Sequence, residues 1–205
     1  MKKCDYNHEM YNIIETLKEE EKKLVKTVNL KKGEILFHEG DICECVAVVL
    51  EGEISIVSYS YHGNEMTYNE LKPFMLFGNN LLFSSDPRYK GSVLAKKAAK
   101  AGLIYKKDVL FLLKNNEEFL NLFLKYQSDI GKNLNAKIKL LSFTNAKERF
   151  LYYLYINNDV IEYETITKLA SSVSLQRETL SRLISSLEDE GIIKRNKKKI
   201  MLIKK

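Results

Sequence analysis

The chain has 205 residues, 45% of them apolar, and its 33 Lys and Arg against 27 Asp and Glu leave a net charge of +6. That length holds one large domain or two small ones with separate cores, and the apolar share argues against intrinsic disorder. No run of 18 apolar residues occurs, the opening MKKCDYNHEM lacks the apolar core of a secretory signal, and three cysteines make no disulfide framework. A cytoplasmic protein with no membrane partner is expected.

Residues 10–28, MYNIIETLKEEEKKLVKTV, read as an amphipathic helix. From Val28 to about Tyr105 the pattern changes to short β-branched runs such as VAVVLEGEISIVSYSY. Turn signals separate them at Lys32-Gly33, Glu39-Gly40-Asp41, Glu51-Gly52, His62-Gly63-Asn64 and Asp86-Pro87. Strands at such close spacing predict a compact antiparallel barrel or roll.

From Lys107 to about Phe143 the period is helical. Phe119, Phe123, Ile130, Leu134, Ile138 and Leu141 fall mostly three or four apart, beside Leu122, Tyr126 and Lys137, with Gly131 the one helix-weakening residue. A helix of roughly 25 residues or more is longer than a small barrel covers, so a sustained apolar seam predicts a partner helix from a second copy of the chain. The alternative is a helix folded back over its own barrel.

The last unit begins near Asn145. NAKERFLYYLYI is a helix, and Asn157-Asn158-Asp159 breaks it. TITKLASSV is a short helix with Thr165 as N-cap, and a brief turn at Ser174 leads into SLQRETLSRLISSLEDEGII, which Gly191 ends. IIKRNKKKIMLI then reads as strand, turn and strand. Helix, tight turn, helix and small hairpin make a winged helix-turn-helix. Charge agrees with that reading: Ile192 onward carries seven Lys and Arg and no acid, and residues 146–205 hold 12 basic against 8 acidic side chains. A basic excess at one end favours a polyanion, nucleic acid ahead of membrane.

In the second of these helices Leu180, Leu183, Ile184 and Leu187 form one buried stripe, and Arg177, Glu178, Ser181 and Arg182 occupy the opposite face of its first two turns. The second helix of such a motif lies in the major groove with its N-terminal residues at the base edges. An arginine fork fits guanine O6 and N7, and a glutamate accepts from cytosine N4. Thr165, Thr167, Gln176 and Thr179 are the expected phosphate contacts around the turn, with Lys197, Lys198 and Lys199 contacting the adjacent backbone from the wing. The competing reading is an exposed intrahelical network of Arg177, Glu178 and Arg182, worth only about 0.3–0.5 kcal/mol per pair.

KKGEILFHEGD (31–41), VLEGEISI (49–56), RETLSR (177–182) and LEDEGII (187–193) together resemble the cyclic AMP receptor protein and fumarate–nitrate reduction regulator (CRP/FNR) family of bacterial transcription regulators, over nearly the whole chain. The resemblance implies an α+β chain: an N-terminal cyclic-nucleotide-binding-like β-roll, or double-stranded β-helix barrel, then a long dimerisation helix and a C-terminal winged helix-turn-helix. The corresponding segments are residues 1–106, 107–143 and 144–205. It also implies a homodimer through 107–143 on double-stranded DNA, with RNA polymerase as a further partner if the protein activates. Arg177, Glu178 and Arg182 match the family's base-reading positions, and Ser181 matches the serine of its other main branch. Ser174 stands where the family usually has a turn glycine.

The sensory residues depart from the family pattern. Members that bind cyclic AMP use a Gly-Glu pair, an Arg-Ser pair and a Thr-Ser pair. The matching positions here are Gly78-Asn79, Tyr89-Lys90 and Leu134-Asn135, with Arg88 one residue out of place and Phe74-Met75 where a Gly-Asp turn is usual. A phosphate without its arginine loses a bidentate charged contact, so cyclic nucleotide is not expected. An unknown effector would lie near Phe74, Phe77, Asn79, Tyr89, Lys90, Leu134 and Asn135, unless these are packed core. An iron–sulfur cluster needs four cysteine ligands, and the chain has Cys4, Cys43 and Cys45. Cys43 and Cys45, two apart, are candidates for redox sensing or are ordinary barrel residues. His8, His38 and His62 are scattered, so neither heme nor metal is expected, and no nucleophile–base pair suggests an enzyme. A reading from another class remains: a small-molecule-binding module whose winged helix makes protein contacts.

Overall fold

A computed structural model describes residues 12–63 and 65–203, the Tyr68 side chain excepted, so Cys4 and His8 lie outside the described residues. The chain divides into two compact units, with the boundary between Asp129 and Ile130.

The first unit opens on two 3₁₀ turns, Ile13–Thr16 and Glu21–Leu24, and then strand β1 (Lys26–Leu30). The helix expected over residues 10–28 is therefore not formed. Ile13 and Leu17 are buried four apart, but Lys26–Leu30 pairs residue for residue with strand β8 (Ala99–Tyr105). A short helix must first form a costly turn, whereas Thr27 and Val28 add to an existing ladder that suits β-branched side chains.

The remaining strands are β2 (Ile35–Phe37), β3 (Cys45–Glu51), β4 (Ile54–Tyr59), β5 (Glu65–Leu71), β6 (Leu76–Phe77) and β7 (Ser92–Ala95). They form two four-stranded sheets, β1-β8-β3-β6 and β2-β7-β4-β5, with antiparallel pairing throughout. This is the expected roll. Val46, Val48, Ile54, Val57, Leu71, Val93 and Ile104 fill its interior. Gly52 is needed for space: a Cβ there would stand 2.2 Å from the Ala98 carbonyl oxygen in the β7–β8 turn.

The helical stretch expected as one piece is two helices, α1 (Lys106–Asn115) and α2 (Glu117–Ser142). The break is Asn116, a buried side chain that is satisfied on every side. Its Oδ1 accepts the Phe119 N–H at 2.9 Å, and its Nδ2 donates to Thr16 O at 2.8 Å and to Glu21 Oε2 at 2.7 Å. Asparagine bonds to nearby backbone more readily than it continues a helix, so it starts α2 instead of extending α1. The apolar residues of α2 separate into two sets. Phe119, Phe123, Tyr126 and Leu140 are buried, while Leu124, Leu134, Ile138 and Leu141 are about half exposed or more.

The second unit takes in the end of α2, then α3 (Ala146–Ile156), β9 (Val160–Glu162), α4 (Ile166–Ser172), α5 (Arg177–Asp189), β10 (Ile193–Asn196) and β11 (Lys199–Leu202). The wing hairpin gains β9 as a third strand, in the order β10-β11-β9. Asn158 and Asp159, with φ of +57° and +64°, turn the chain out of α3 into that strand. One core holds the unit: Leu140 of α2, Phe150 and Leu154 of α3, Leu169 of α4, Leu180, Ile184 and Leu187 of α5, and Ile193 and Ile200 of the wing.

Candidate nucleic-acid interface

The two-helix motif is set by its caps. Thr165 Oγ1 accepts the Lys168 N–H at 3.1 Å to start α4. The turn after α4 holds Ser174 at φ +52°, the left-handed conformation that the family's usual glycine takes freely. The Leu175 N–H returns to the Ala170 carbonyl at 2.9 Å, and the next helix begins at Arg177. Gly191, at φ +69°, ends α5 in the expected place.

Burial of Leu180, Ile184 and Leu187 fixes how α5 is turned. Arg177, Glu178, Ser181 and Arg182 are therefore all exposed on one face. Among the described residues, Arg177, Glu178 and Arg182 form no ion pair and no side-chain hydrogen bond, so the alternative of an intrahelical network is not what the side chains do. The acids at the far end differ. Glu190 lies 2.6 Å from Lys147 Nζ and accepts from Ser186 Oγ, contacts that hold its carboxyl below the usual range. Glu188 accepts the Arg195 N–H at 3.1 Å and lies 3.6 Å from Arg195 Nε. Glu188 and Glu190 are thus neutralised within the protein, while Asp189 between them is exposed and, among the described residues, has no ion pair. Ser185, Ser186, Asp189 and Glu190 line an open groove with Ser181 and Arg182; continuing the helical spacing from Ser181 would have found Ser185.

The phosphate candidates are spread around this face. Thr165, Thr167, Gln176, Lys197 and Lys198 are exposed, and Thr179 is half-buried. Lys197 and Lys198 form the tip of the wing. Lys199 is set apart from them on β11, 3.3 Å from Glu162 Oε1 on β9.

In the first unit the expected effector residues are mostly built into protein contacts. Phe77, Asn79 and Tyr89 are buried, and Phe74 is half-buried. Tyr89 stacks on Phe37 with centroids 4.8 Å apart, and a Cβ at Gly78 would meet its hydroxyl at 3.3 Å. That hydroxyl has no hydrogen bond of acceptable geometry, although the Cys43 thiol is its neighbour. Asn79, at the position of the family's carboxylate, donates from Nδ2 to Gln127 Oε1 and accepts from Gln127 Nε2 through its backbone oxygen. One residue away on α2, Tyr126 accepts the Leu76 N–H at 3.0 Å and donates to the Leu76 carbonyl at 3.1 Å. Sequence reading missed this pair of contacts. Lys90 is exposed and turned to Asp86 at 2.5 Å, and Arg88 donates to the Gly40 carbonyl at 3.0 Å. Leu134 and Asn135 belong to the second unit and are exposed.

Cys43 and Cys45 are free and buried. Burial raises the Cys43 thiol and pushes Cys45 up to about 12, helped by the neighbouring Cys43 and Glu44. The Cys43 thiol donates to the carbonyls of Cys45 and Gly78 at 3.3 and 3.5 Å. Among the described residues no three metal-binding side chains converge, and no helix is long and apolar enough to cross a membrane.

A roll of two antiparallel sheets, a long helix and a winged helix with an unpaired polar face define a class: transcription regulators with a helix-turn-helix DNA-binding domain. Residues 27–116 match the cyclic nucleotide-binding domain family and residues 149–205 the Crp-like helix-turn-helix domain family. The chain belongs to the CRP/FNR family of regulators. It is 24% identical over 167 residues to the cyclic AMP receptor protein of Thermus thermophilus, covering 80% of this chain and 77% of that one. It is 26% identical over 186 residues to the HTH-type transcriptional regulator ArcR of Staphylococcus epidermidis, covering 84% and 80%. A crystal structure of a transcriptional regulator from Thermotoga maritima superposes with a TM-score of 0.56 at 30% identity, over 62% of this chain and 98% of that one.

Proposed function

We propose that this protein reads a two-fold symmetric DNA site as a homodimer, without cyclic AMP as its effector. The observation that carries the reading is the exposed, unpaired set Arg177, Glu178, Ser181 and Arg182 on the first turns of α5. Arg177, Glu178 and Arg182 offer hydrogen-bonding groups in the pattern that base edges require. Gln176, Thr179, Thr165 and Thr167 surround them as phosphate contacts, and Lys197 and Lys198 extend the contact from the wing. In this reading the three parts act as sensor (1–106), dimerisation helix (107–143) and DNA-binding domain (144–205). Two copies joined through the exposed residues of α2 place their α5 helices in successive major grooves about 34 Å apart. RNA polymerase contact belongs to the reading if the protein activates.

The absence of cyclic AMP from this proposal is supported by what the sensor residues do instead. Asn79 carries no carboxylate and is bonded to Gln127, and Lys90 is paired with Asp86. Phe77 and Tyr89 act as packed core. Cys43 and Cys45, buried with raised pKa values, act as packing residues and not as redox sensors or cluster ligands.

Selection from a randomised duplex pool by the purified, reduced, ligand-free protein tests the proposal. Recovery of a two-fold symmetric site, with cyclic AMP leaving its affinity unchanged, is the expected result. A site enriched only on adding cyclic AMP would overturn the effector reading. No enrichment under either condition, with weak, salt-sensitive binding remaining, would mean that the DNA-reading state awaits another effector. No retention of any duplex at moderate salt would favour a winged helix used for protein contacts.

A further inference from the structure

Arg149 stands in the first turn of α3, half-buried, and its guanidinium joins two other elements of the second unit. Its Nε donates to the Phe143 carbonyl oxygen at 3.0 Å, with Nη2 donating to the same oxygen. Its Nη1 donates to the Ser174 carbonyl oxygen at 3.0 Å. Phe143 is the residue just past α2, and Ser174 is the left-handed residue of the turn between α4 and α5. Among the described residues Arg149 has no carboxylate partner, so its hydrogen bonding is committed to these two carbonyls. The Phe143 end is itself anchored: its ring lies 5.1 Å from that of Tyr152, and Lys139 Nζ sits 5.1 Å over the same Tyr152 ring.

The turn that it grips is closed by backbone bonds, the Ser174 N–H to the Ser171 carbonyl at 3.1 Å and the Leu175 N–H to the Ala170 carbonyl at 2.9 Å, and it carries two local costs. Ser174 pays for its left-handed backbone as a non-glycine residue. Gln176, the N-cap of α5, makes no side-chain capping bond. We infer that Arg149 is the positioning residue for base reading: it ties the Ser174 turn to the end of α2 and so sets the angle at which α5 presents Arg177, Glu178 and Arg182. The inference rests on the base-reading assignment of α5. Lysine cannot replace the guanidinium, because its single ammonium lacks the flat fork that reaches both carbonyls.

The test compares Arg149→Lys and Arg149→Gln with the wild type on the selected operator and on random duplex of equal length. Far-UV circular dichroism and melting are followed in parallel. The expected result is a loss of about tenfold or more on the operator for both variants, the scale of a lost charged hydrogen bond. Random-duplex affinity of the Lys variant should stay within about twofold, since its charge is kept. Ser174→Gly, which removes the backbone cost of the turn, should recover part of the operator affinity in the Gln variant. Wild-type operator affinity in the Lys variant, an equal loss on both duplexes, or no recovery by Ser174→Gly would each overturn the positioning role. If the Gln variant melts below assay temperature, the Lys variant carries the comparison, with Ser174→Gly placed in its background. A wild-type protein that prefers no sequence would overturn the base reading itself, and this role with it.

Discussion

Arg177 and Arg182 are left without an acidic partner on a helix at whose far end Glu188 and Glu190, though not the intervening Asp189, are each matched by a cation from another element. Charges held free in this way are available to a ligand, so Arg182→Ala should cost about 1–3 kcal/mol on the selected site and relax base preference at one position. Titration on the site and on its single-base variants checks it; an equal loss on all of them would make Arg182 a phosphate contact. The wing behaves differently. Lys197 and Lys198 are exposed, while Lys199 is paired with Glu162. Replacing the first two by alanine should flatten the salt dependence of binding, and replacing Lys199 should change that slope less. Phe74 shows backbone cost at a single residue. Pro73 and Phe74 occupy the centre of a turn closed by the Met75 N–H to the Lys72 carbonyl at 3.1 Å, with Phe74 at φ +71°. Glycine relieves about 1–2 kcal/mol there, offsetting much of the lost side chain, so Phe74→Gly should destabilise far less than Phe77→Ala, for which truncation of a buried ring costs about 3–5 kcal/mol. Urea unfolding of the two variants compares them directly, and equal losses would contradict the backbone argument.

Two elements of the first unit are joined by bonds between α2 and the β6 segment. Tyr126 satisfies both backbone groups of Leu76, and removing its hydroxyl leaves a buried N–H and C=O without that partner. Tyr126→Phe should therefore cost about 1–3 kcal/mol of stability, with the loss measured by urea unfolding at neutral pH. The pH dependence has a definite sign. Cys45 is held at about 12 against an ordinary 9.0, and Tyr126 at about 12 against an ordinary 10.0, both chiefly by burial. The folded protein keeps protons that the unfolded chain releases first. Stability from these groups is thus intact below about pH 9 and falls as pH rises toward about 12. Cys45→Ala should flatten the decline between about pH 9 and about pH 10.5; an unchanged slope would assign it to other groups. These contacts were not legible beforehand because Tyr126 reads equally well as part of an apolar helical seam. Only the pairing of β6 with β3 brings Leu76 and Asn79 to it.

At the scale of the whole molecule, α2 leaves Leu124, Leu134, Ile138 and Leu141 exposed. Leu124 and Ile138 are separated by two heptads, and Leu134 and Leu141 by one, which suits a partner helix. Ile138→Glu should leave the protomer folded, since that side chain is already 58% exposed, but shift it to a monomer in sedimentation and abolish binding to the symmetric site. A dimer that survives would move the interface elsewhere.

The amino-acid pattern alone determined the order of parts, the turns of the roll and the two helices of the DNA-binding motif. Alternation, glycine punctuation and the stripe Leu180, Leu183, Ile184 and Leu187 are local properties of the chain. It also placed Arg177, Glu178, Ser181 and Arg182 on one face, because a helix with one buried stripe has only one way to turn. Tertiary structure alone decided the rest. Lys26–Leu30 became a strand because β8 offered a ladder, β9 joined the wing because β11 had a free edge, and a single seam on α2 became a buried set and an exposed one. Arg149 gained its place because Phe143 and Ser174, 31 positions apart in the sequence, present their carbonyls to one guanidinium. Hydrogen bonds between distant residues carry no periodic signal, and so leave no trace in composition or spacing.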